Sequence, residues 1–475
     1  MSGLLERGVD AYVDKVWDDV LEDIGELVSH PSVADGSAAE PDAPFGPDAR
    51  TALDCALGIA DKLGYETSCD EGYIGIADIP GERPEQIATI AHCDVVPAGP
   101  GWDTDPFHME RREGWLLGRG VIDDKGPAVL SLYAGAYLLR QGVTPRYTFR
   151  ALLGSDEEVG MTDVHHYLET HEDPLFLFTP DADFPVCNAE KGCYGGVVKS
   201  APIHDGRIIG WSGAEASNAI PGQSVLELAV DASELPAPRA NADRIVIEPV
   251  GEGRSRVTAT GIGGHASLPE GTINAIGLVT DYLLEVVDAI PGALSVDEGS
   301  FIELMDLLTA DTDGQALGIA SSSETFGPLT INAGVIRLRD GRFEQSIDVR
   351  YPESISSDDI TAALAGAAGR FGATFEVDMD KPPFWISAES AEVQTLIGTY
   401  NEVTGRHAEP FSMGGGTYAR NFKRAVSYGP EELDLELPEW GGMMHGPNEC
   451  ANEAQLRQAL KIYILAILRL MELDL

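Results

Sequence analysis

Three short, almost wholly apolar runs constrain the fold of this chain more than any other feature of its sequence. They cover residues 87–91, 147–153 and 175–178. Short, nearly continuous apolar runs are typical of strands buried on both faces, as in parallel sheets covered by helices. Residues 127–139, between the first two runs, are predicted to form a helix. We therefore predict an α/β fold with a mixed, largely parallel sheet flanked by helices.

Helical periodicity brackets this strand-rich region. Residues 4–29 place apolar side chains at spacings of three and four, and residues 47–63 repeat the pattern between a starting proline and a terminating glycine. The same pattern returns near the end of the sequence, in residues 392–402 and 453–473. Because both ends of the chain carry these helical patterns, we predict that one domain is interrupted and then completed.

The middle of the chain has a different character. From about residue 192 alternating strands predominate, and two of them, 330–339 and 342–351, form a hairpin around an Asp-Gly dipeptide, which favours a tight turn matched to strand twist. Two helical stretches, 273–287 and 357–368, accompany these strands. This pattern indicates a separate, inserted α+β domain.

Acidic and imidazole side chains directly follow each apolar run. They are His92 and Asp94 after the first run, Asp156, Glu157 and Glu158 after the second, and Asp181 after the third. Ligands of open α/β sheets bind beyond the carboxyl ends of the strands, so these groups are expected at one edge. A fourth acidic pair, Asp123-Asp124, lies just before the predicted helix. Because buried carboxylates are costly unless they are neutralised, the sequence predicts a metal site.

The first of these segments also suggests which metal fits. In an extended chain His92 and Asp94 point to the same side, so Asp94 can orient the imidazole through its second nitrogen without being a ligand. Imidazole and carboxylates without thiolates suit Zn²⁺, with Mn²⁺ and Co²⁺ as substitutes. Two further histidines, His265 and His445, lie among glycines that allow close backbone approach. From the residues alone, each of the two can be either functional or structural.

The composition excludes several partners. The chain has 475 residues with 32 Lys+Arg against 78 Asp+Glu, a net charge of −46. Nucleic acids and anionic membranes both require a basic face, so we expect neither as a partner. The acidic first twenty residues, the absence of an uncharged run of ~18 to 20 residues and six cysteines without a Cys-x-x-Cys pair predict a cytoplasmic protein. The acid-rich, lysine-poor balance fits a compositional bias, which we favour, or adaptation to high salt.

Six segments together resemble the family-twenty metallopeptidases, the superfamily of aminoacylases, succinyl-diaminopimelate desuccinylases, carnosinases and PepV-type dipeptidases. They are residues 92–97, 118–126, 156–160, 180–185, 414–417 and 444–446. Their order and spacing cover almost the whole chain. Residues 180–185, and the segment 188–192 that follows, are most similar to the PepV-type dipeptidases.

The resemblance implies a site for two divalent metal ions, Zn²⁺ above all. One ion is held by His92 and Asp181, the other by Glu158 and His445, and Asp123 bridges the two. Three carboxylates and one bridging hydroxide then balance the charge of the two ions. The family pattern also implies a cis peptide bond after Asp123.

The resemblance further implies how the site works. Glu157 is the general base that takes a proton from the metal-activated water and later delivers it to the departing amine. Asp94 supports catalysis by orienting His92, and His265 is the candidate donor to the tetrahedral oxyanion.

Three positions match residues that grip the substrate's terminal carboxylate and adjacent groups: Asn218, Arg350 and the backbone around Gly415. For Arg350 the alternative interpretation is an ion pair with Asp348 or Glu344 on the same strand.

The domains acquire roles through the same resemblance. Residues 1–191 and 382–475 form a catalytic domain, and residues 192–381 form an inserted lid domain with two halves. This insertion is about twice the lid of dimeric relatives, which borrow the oxyanion histidine from a partner subunit. We therefore expect a monomer whose own lid supplies His265.

The expected function is hydrolysis of unblocked dipeptides by a dizinc metallopeptidase. An N-acyl-amino-acid amidohydrolase would share the metals, the base and the carboxylate grip, and the sequence does not reveal the partner of a free amine. A catalytically silent peptide-binding homologue is the third interpretation. The presence of Glu157 and all five implied ligands argues against it.

Overall fold

The computed structural model describes residues 5–475, so residue 4, where the first predicted helix begins, lies outside the described residues. The α-helices of the described chain are α1 (Val9–Val28), α2 (Pro47–Leu63), α3 (Lys125–Arg140), α4 (Thr162–Thr170), α5 (Ala275–Ala289), α6 (Val296–Leu308), α7 (Ser357–Arg370), α8 (Ala391–Thr404) and α9 (Glu453–Leu470). Short 3₁₀ helices cover Glu6–Gly8, Gly36–Ala38 and Tyr418–Asn421.

The strands are β1 (Glu66–Asp70), β2 (Ile74–Ile79), β3 (Arg83–His92), β4 (Glu110–Arg112), β5 (Trp115–Leu117), β6 (Tyr147–Gly154), β7 (Phe176–Thr179), β8 (Ala182–Phe184), β9 (Cys187–Glu190), β10 (Gly192–Lys199), β11 (Ile208–Ser212), β12 (Ala219–Ile220), β13 (Gln223–Leu228), β14 (Ile245–Gly251), β15 (Arg254–Thr260), β16 (Gly264–His265), β17 (Ser322–Ser323), β18 (Gly327–Pro328), β19 (Thr330–Arg339), β20 (Arg342–Tyr351), β21 (Thr374–Lys381), β22 (Phe384–Trp385), β23 (Phe411–Met413), β24 (Ala425–Ser427), β25 (Pro430–Glu432) and β26 (Cys450–Asn452).

The chain divides into two compact units. Unit 1 comprises residues 1–188, 385–411 and 416–475, and unit 2 comprises residues 189–384 and 412–415. Unit 2 therefore begins before residue 192 and ends after residue 381, the limits predicted for the insertion. It also takes in the four residues 412–415, which the sequence assigned to the closing part of the first domain.

Unit 1 is built on a large mixed sheet with the strand order β1-β2-β6-β3-β7-β24-β9-β22. Its centre is parallel, because β3 pairs in parallel with β6 and β7, and β24 does so with β7. At one edge β1 and β2 pair in antiparallel fashion around a turn at Glu71 and Gly72, which both have positive φ. The predicted mixed α/β sheet is confirmed, and its parallel pairing is confined to the central strands.

The helices of unit 1 bury the apolar stripes that the sequence predicts. The valines of α1 and its last isoleucine and leucine lie in the core, and α3 is buried along nearly its whole length. Close approach of α3 to the sheet depends on Gly135, since a Cβ there would lie 2.2 Å from Cε1 of Phe149. No helix among residues 5–475 is both long and apolar enough to traverse a bilayer.

Unit 2 has its own apolar core and two antiparallel sheets of four strands, ordered β19-β20-β10-β21 and β11-β13-β15-β14. The predicted hairpin is present as β19 and β20. Asp340 and Gly341 connect its arms with φ values of 50° and 70°, as a tight turn with two left-handed residues requires.

Helix α6 of unit 2 was missed in the sequence analysis. It begins with a capping box in which the Ser295 hydroxyl accepts the Glu298 backbone N–H, while the Glu298 carboxylate accepts the Ser295 N–H at 2.8 Å. The Ser-x-x-Glu spacing before an apolar run is the signal that predicts this helix.

Candidate metal centre

The parallel strands of unit 1 deliver the predicted ligands to one edge of the sheet. His92 is the last residue of β3 and pairs with Gly154, the last residue of β6, so the carboxyl ends of these strands are level. Glu158 follows β6 after a short loop, and Asp181 follows β7. Asp123 lies just before α3, and His445 lies in a loop with a left-handed φ of 64°.

The Asp123 carboxylate lies between the two histidines. Its Oδ1 is 3.0 Å from His92 Nε2, and its Oδ2 is 2.8 Å from His445 Nε2. His92 Nε2 also lies 3.7 Å from Asp181 Oδ2, and His445 Nε2 lies 3.1 Å from Glu158 Oε2. The structure thus forms two groups of three candidate ligands, His92-Asp123-Asp181 and Asp123-Glu158-His445, which share one carboxylate.

The protonation of His92 indicates what this geometry accommodates. Its Nδ1 faces the backbone carbonyl oxygen of Asp94 at 2.9 Å, an acceptor that requires Nδ1 to carry the hydrogen. In the neutral ring, Nε2 then presents a lone pair towards Asp123 Oδ1. Two acceptors at this distance require a cation or a second proton between them.

A buried carboxylate oxygen supports the same conclusion. Within residues 5–475, Glu158 Oε1 is buried and has no hydrogen-bond partner. An unpaired buried carboxylate oxygen is costly, and a divalent ion removes that cost. Together, imidazole nitrogens and carboxylate oxygens form the donor set that Zn²⁺, Mn²⁺ and Co²⁺ accept. The residues therefore fit a pair of divalent ions.

The pKa values of the candidate ligands reflect the high density of negative charge around them. Burial raises the pKa of Asp181 to about 7, with Asp123 and Glu158 adding to the effect. Hydrogen bonds with Asp123 and Glu158 raise the pKa of His445 to about 10. Burial alone lowers the pKa of His92, but its contacts with Asp123 and Asp94 raise it well above its usual value. These raised pKa values reflect how much negative charge surrounds each group.

Asp94 has a broader role than the one inferred from sequence. Its carboxylate oxygen lies 3.5 Å from His92 Nδ1, farther than its own carbonyl oxygen. The same carboxylate accepts the backbone N–H groups of Glu157 at 3.3 Å and Glu158 at 3.1 Å. Asp94 therefore fixes the peptide segment that carries the predicted base and one predicted ligand.

Glu157 is partly buried beside the cluster. Burial, followed by the negative charge of Asp181, raises its pKa well above the usual value for a glutamate, and Glu158 and Asp123 act in the same direction. A carboxylate with a raised pKa is a stronger proton acceptor when ionised, which suits a general base.

The sequence analysis grouped Asp124 with Asp123 without giving it a role. In the structure, Asp124 supports the site by holding the backbone of His92. Its Oδ2 accepts the backbone N–H of His92 at 3.0 Å, and its side chain is fully buried. The Asp123–Asp124 peptide bond is cis, as the family resemblance implied.

In unit 2 the structure brings the segments of Asn218 and His265 together. Strands β12 and β16 pair Ala219 with His265, and the Asn218 carbonyl oxygen accepts the Ala266 N–H at 2.8 Å. His265 Nδ1 contacts the Ser267 hydroxyl at 2.7 Å, which leaves Nε2 directed away from this bond. Burial and the nearby charge of Arg350 lower the pKa of His265, which favours the neutral ring.

Arg350 makes the ion pair with Asp348 that the sequence analysis gave as the alternative interpretation. Its Nε and Nη2 each lie 2.9 Å from one carboxylate oxygen of Asp348. Its Nη1 donates to the Gly414 carbonyl oxygen at 2.9 Å. The bidentate pair fixes the guanidinium next to the glycine-rich segment that contains Gly415.

Gly414 also lies against the His265 segment. A Cβ at Gly414 would be 2.4 Å from the Ser267 Cβ, so only glycine permits this approach. The four predicted substrate-contacting positions of unit 2, Asn218, His265, Arg350 and Gly415, are thus linked through direct contacts of their segments.

The fold and this donor set indicate which class of protein the chain represents, and the comparison with known families identifies that class. Residues 88–469 match the family described as Peptidase family M20/M25/M40, and the chain belongs to that family. It is an enzyme, a hydrolase acting on peptide bonds.

Individual relatives extend over nearly the whole chain. The candidate dipeptidase YtjP of Bacillus subtilis (strain 168) is 31% identical over 432 residues, which are 87% of this chain and 90% of YtjP. Human carnosine dipeptidase 1 has a similar structure, with a TM-score of 0.60 and 14% identity over 99% of both chains. The Bacillus subtilis protein YXEP, described as a dinuclear metal binding peptidase, has a TM-score of 0.51 and 12% identity over 98% of this chain and 99% of YXEP. At these identities the two structures show a shared fold.

Two buried side chains next to the site were missed in the sequence analysis. Arg119 and Glu449 form an ion pair in unit 1, and both are fully buried. Arg119 lies within the segment 118–126 that the sequence analysis singled out, and Glu449 lies three residues after the segment 444–446. For Arg119, a charged residue between two motif glycines was the available signal, but its partner could not be identified from spacing.

Proposed function

We propose that this protein is a metal-dependent dipeptidase that hydrolyses unblocked dipeptides with two divalent ions, Zn²⁺ in the first place. The observation that carries the proposal is the position of Asp123, whose two carboxylate oxygens face two different histidines. This arrangement is what one carboxylate shared by two ions requires. The names of the sequence relatives and of the carnosine dipeptidase add support for a dipeptide substrate.

His92 and Asp181 would hold one ion, Glu158 and His445 the other, and Asp123 both. When bound, the ions act as Lewis acids on the scissile carbonyl and lower the pKa of a coordinated water towards neutrality. The protein contributes a fixed set of nitrogen and oxygen donors, which the His92 Nδ1 hydrogen bond and the Asp94 carboxylate keep oriented.

Glu157 would move the protons of the reaction. Its carboxylate accepts a proton from the attacking water and delivers it to the leaving amine nitrogen, which departs as a free amino group. Burial is the largest cause of the raised pKa of Glu157, and a raised pKa suits a carboxylate that accepts a proton. The backbone N–H of Glu157 bonds to Asp94, and this bond limits the positions that the side chain can sample.

The residues of unit 2 would bind the substrate. We propose that His265 donates a hydrogen bond from Nε2 to the carbonyl oxygen as negative charge develops there. Arg350, held by Asp348, and the backbone of Gly415 would bind the terminal carboxylate, with Asn218 at the adjacent groups. The contacts that link these four segments within unit 2 support a single substrate-binding role.

We further propose that the enzyme acts as a monomer in the cytoplasm. The long insertion supports the first point, because one chain can supply His265 without a partner subunit. The acidic composition and the lack of disulfide-type cysteine spacing support the second.

A hydrolysis panel tests the function. Protein stripped by a chelator and restored with Zn²⁺ or Mn²⁺ is assayed on dipeptides, their N-acetylated forms and tripeptides. We expect activity on free dipeptides that disappears with the metal and returns on restoration. Preference for N-acetylated substrates would identify a deacylase instead, and binding of dipeptides without any turnover would identify a peptide-binding homologue.

A further inference from the structure

A buried ion pair joins the loop that carries Asp123 to the loop that carries His445. Glu449 Oε1 accepts the backbone N–H groups of Gly120 at 2.9 Å and Ile122 at 3.3 Å. Ile122 is the residue directly before Asp123. The other oxygen of Glu449 is paired with Nη1 of Arg119.

Arg119 extends this connection to the histidine loop. Its Nη2 donates to the carbonyl oxygens of His445 and Gly446, each at 3.2 Å. The guanidinium lies over the Trp102 ring, with 5.3 Å to the ring centroid, and both Arg119 and Glu449 are fully buried. A planar guanidinium can satisfy a carboxylate and two carbonyls at once, whereas an ammonium cannot match that fork.

Packing alone does not require an ion pair at this buried position. Burying two charges carries a large desolvation penalty, and an apolar pair of similar volume fills the same space without it. His445 moreover has a left-handed backbone conformation, which a non-glycine residue keeps only where surrounding contacts hold it. The Arg119 hydrogen bond to the His445 carbonyl is one such contact.

We propose that Arg119 and Glu449 are positioning residues for the second cation site, the one formed by Asp123, Glu158 and His445. They set the separation between the Asp123 and His445 ligand atoms by tying their backbone segments to one buried ion pair. The inference rests on the proposed metal-dependent function. It adds that the two cation sites depend unequally on this pair, since His92 and Asp181 make no contact with it.

The test uses a double variant, Arg119→Met with Glu449→Gln. Removing both charges avoids leaving one unpaired in the interior, and glutamine keeps an acceptor for the Gly120 and Ile122 N–H groups. Chelator-stripped full-length protein is titrated with Zn²⁺ in competition with a chromophoric chelator, so that the readout is stoichiometry and affinity and not activity. We expect the ion held by Glu158 and His445 to bind about 10- to 100-fold more weakly, and the other ion, which shares only Asp123 with that site, to be weakened less.

Two comparisons sharpen the result. Arg119→Lys keeps the buried positive charge but loses the fork, and we expect it to weaken the same site more than the other. The matched control is Arg150→Met with Asp78→Asn, which removes a different ion pair of unit 1, a bidentate one, and should leave both affinities unchanged.

The outcomes separate this inference from the proposed function. If wild-type protein binds fewer than two Zn²⁺ ions, the proposed function itself fails. If the wild type binds two ions and the Arg119→Met, Glu449→Gln protein retains both affinities within about twofold, the positioning inference is wrong. Wild-type behaviour of Arg119→Lys, or equal weakening of both sites in the double variant, would likewise overturn it.

Discussion

Replacing Asp94 by asparagine tests how this side chain supports the site. The carboxylate offers one oxygen to the Glu157 N–H and the other to the Glu158 N–H. Asparagine keeps the shape but only one acceptor, so one buried N–H loses its partner and faces an amide NH₂. An unsatisfied buried donor costs about 1–3 kcal/mol, which is the loss we expect in the free energy of unfolding of unit 1.

Asp94→Asn should lower kcat more than it lowers the affinity for Zn²⁺. His92 keeps its 2.9 Å hydrogen bond to the Asp94 backbone carbonyl, so the imidazole stays oriented in the variant. The Glu157-Glu158 segment, in contrast, loses an anchor, and a displacement of about 1 Å near the reacting atoms can reduce the rate by about 100-fold. We therefore expect kcat at saturating Zn²⁺ to fall by about 10- to 100-fold.

Urea unfolding followed by tryptophan fluorescence and steady-state kinetics over a range of Zn²⁺ concentrations measure the two effects. Asp231→Asn is the matched control, because Asp231 accepts the N–H and hydroxyl of Ser233 in an exposed turn of unit 2. If saturating Zn²⁺ restores kcat of Asp94→Asn to within about twofold of wild type, Asp94 acts through the metal ligand and our reasoning about the Glu157 segment is refuted.

Three further changes have distinct expected results. Glu157→Gln should lower kcat by about 10²- to 10⁴-fold while the Zn²⁺ content measured by elemental analysis stays at the wild-type value, and loss of metal would contradict a role limited to proton transfer. Gly414→Ala places a Cβ 2.4 Å from the Ser267 Cβ, so we expect KM for dipeptides to rise about tenfold, whereas Gly366→Ala in an open part of a helix should leave KM unchanged. Burial alone raises the pKa of Glu285, but two backbone N–H groups outweigh it and lower the pKa, so its stabilisation is present above the unfolded-state pKa and is lost on acidification through the folded-state pKa. Urea unfolding of Glu285→Gln should therefore show a weaker dependence on pH below about 5 than wild type, and parallel curves would contradict this assignment.

The parts of the fold that sequence predicted are those with strong local signals. The apolar runs that became β3, β6 and β7 are largely buried, and the Asp340-Gly341 dipeptide alone was enough to predict its hairpin. Antiparallel edge pairing of β1 with β2 was not predicted, because these strands have mixed polarity and their partner is decided by the sheet, not by their own sequence.

The candidate site shows the same division. Side chains at strand ends could be placed at one edge, because strand direction fixes where they emerge. Long-range partners could not be predicted, because the contacts of Arg119 with Glu449 and of Arg350 with Gly414 join residues far apart in the chain. The Asp94 carboxylate binds two peptide N–H groups because of how the loop after β6 folds back. No rule of sequence spacing describes that loop conformation.

The way the chain passes between the two units bears on protein engineering. Unit 2 takes a long continuous stretch, residues 189–384, and a tetrapeptide, residues 412–415, contributed much later. A fragment ending at residue 384 would therefore omit the carbonyl group that Arg350 binds and the glycine that packs against Ser267. Grafting unit 2 onto another scaffold would require the tetrapeptide as a second splice, or a short designed linker that restores it.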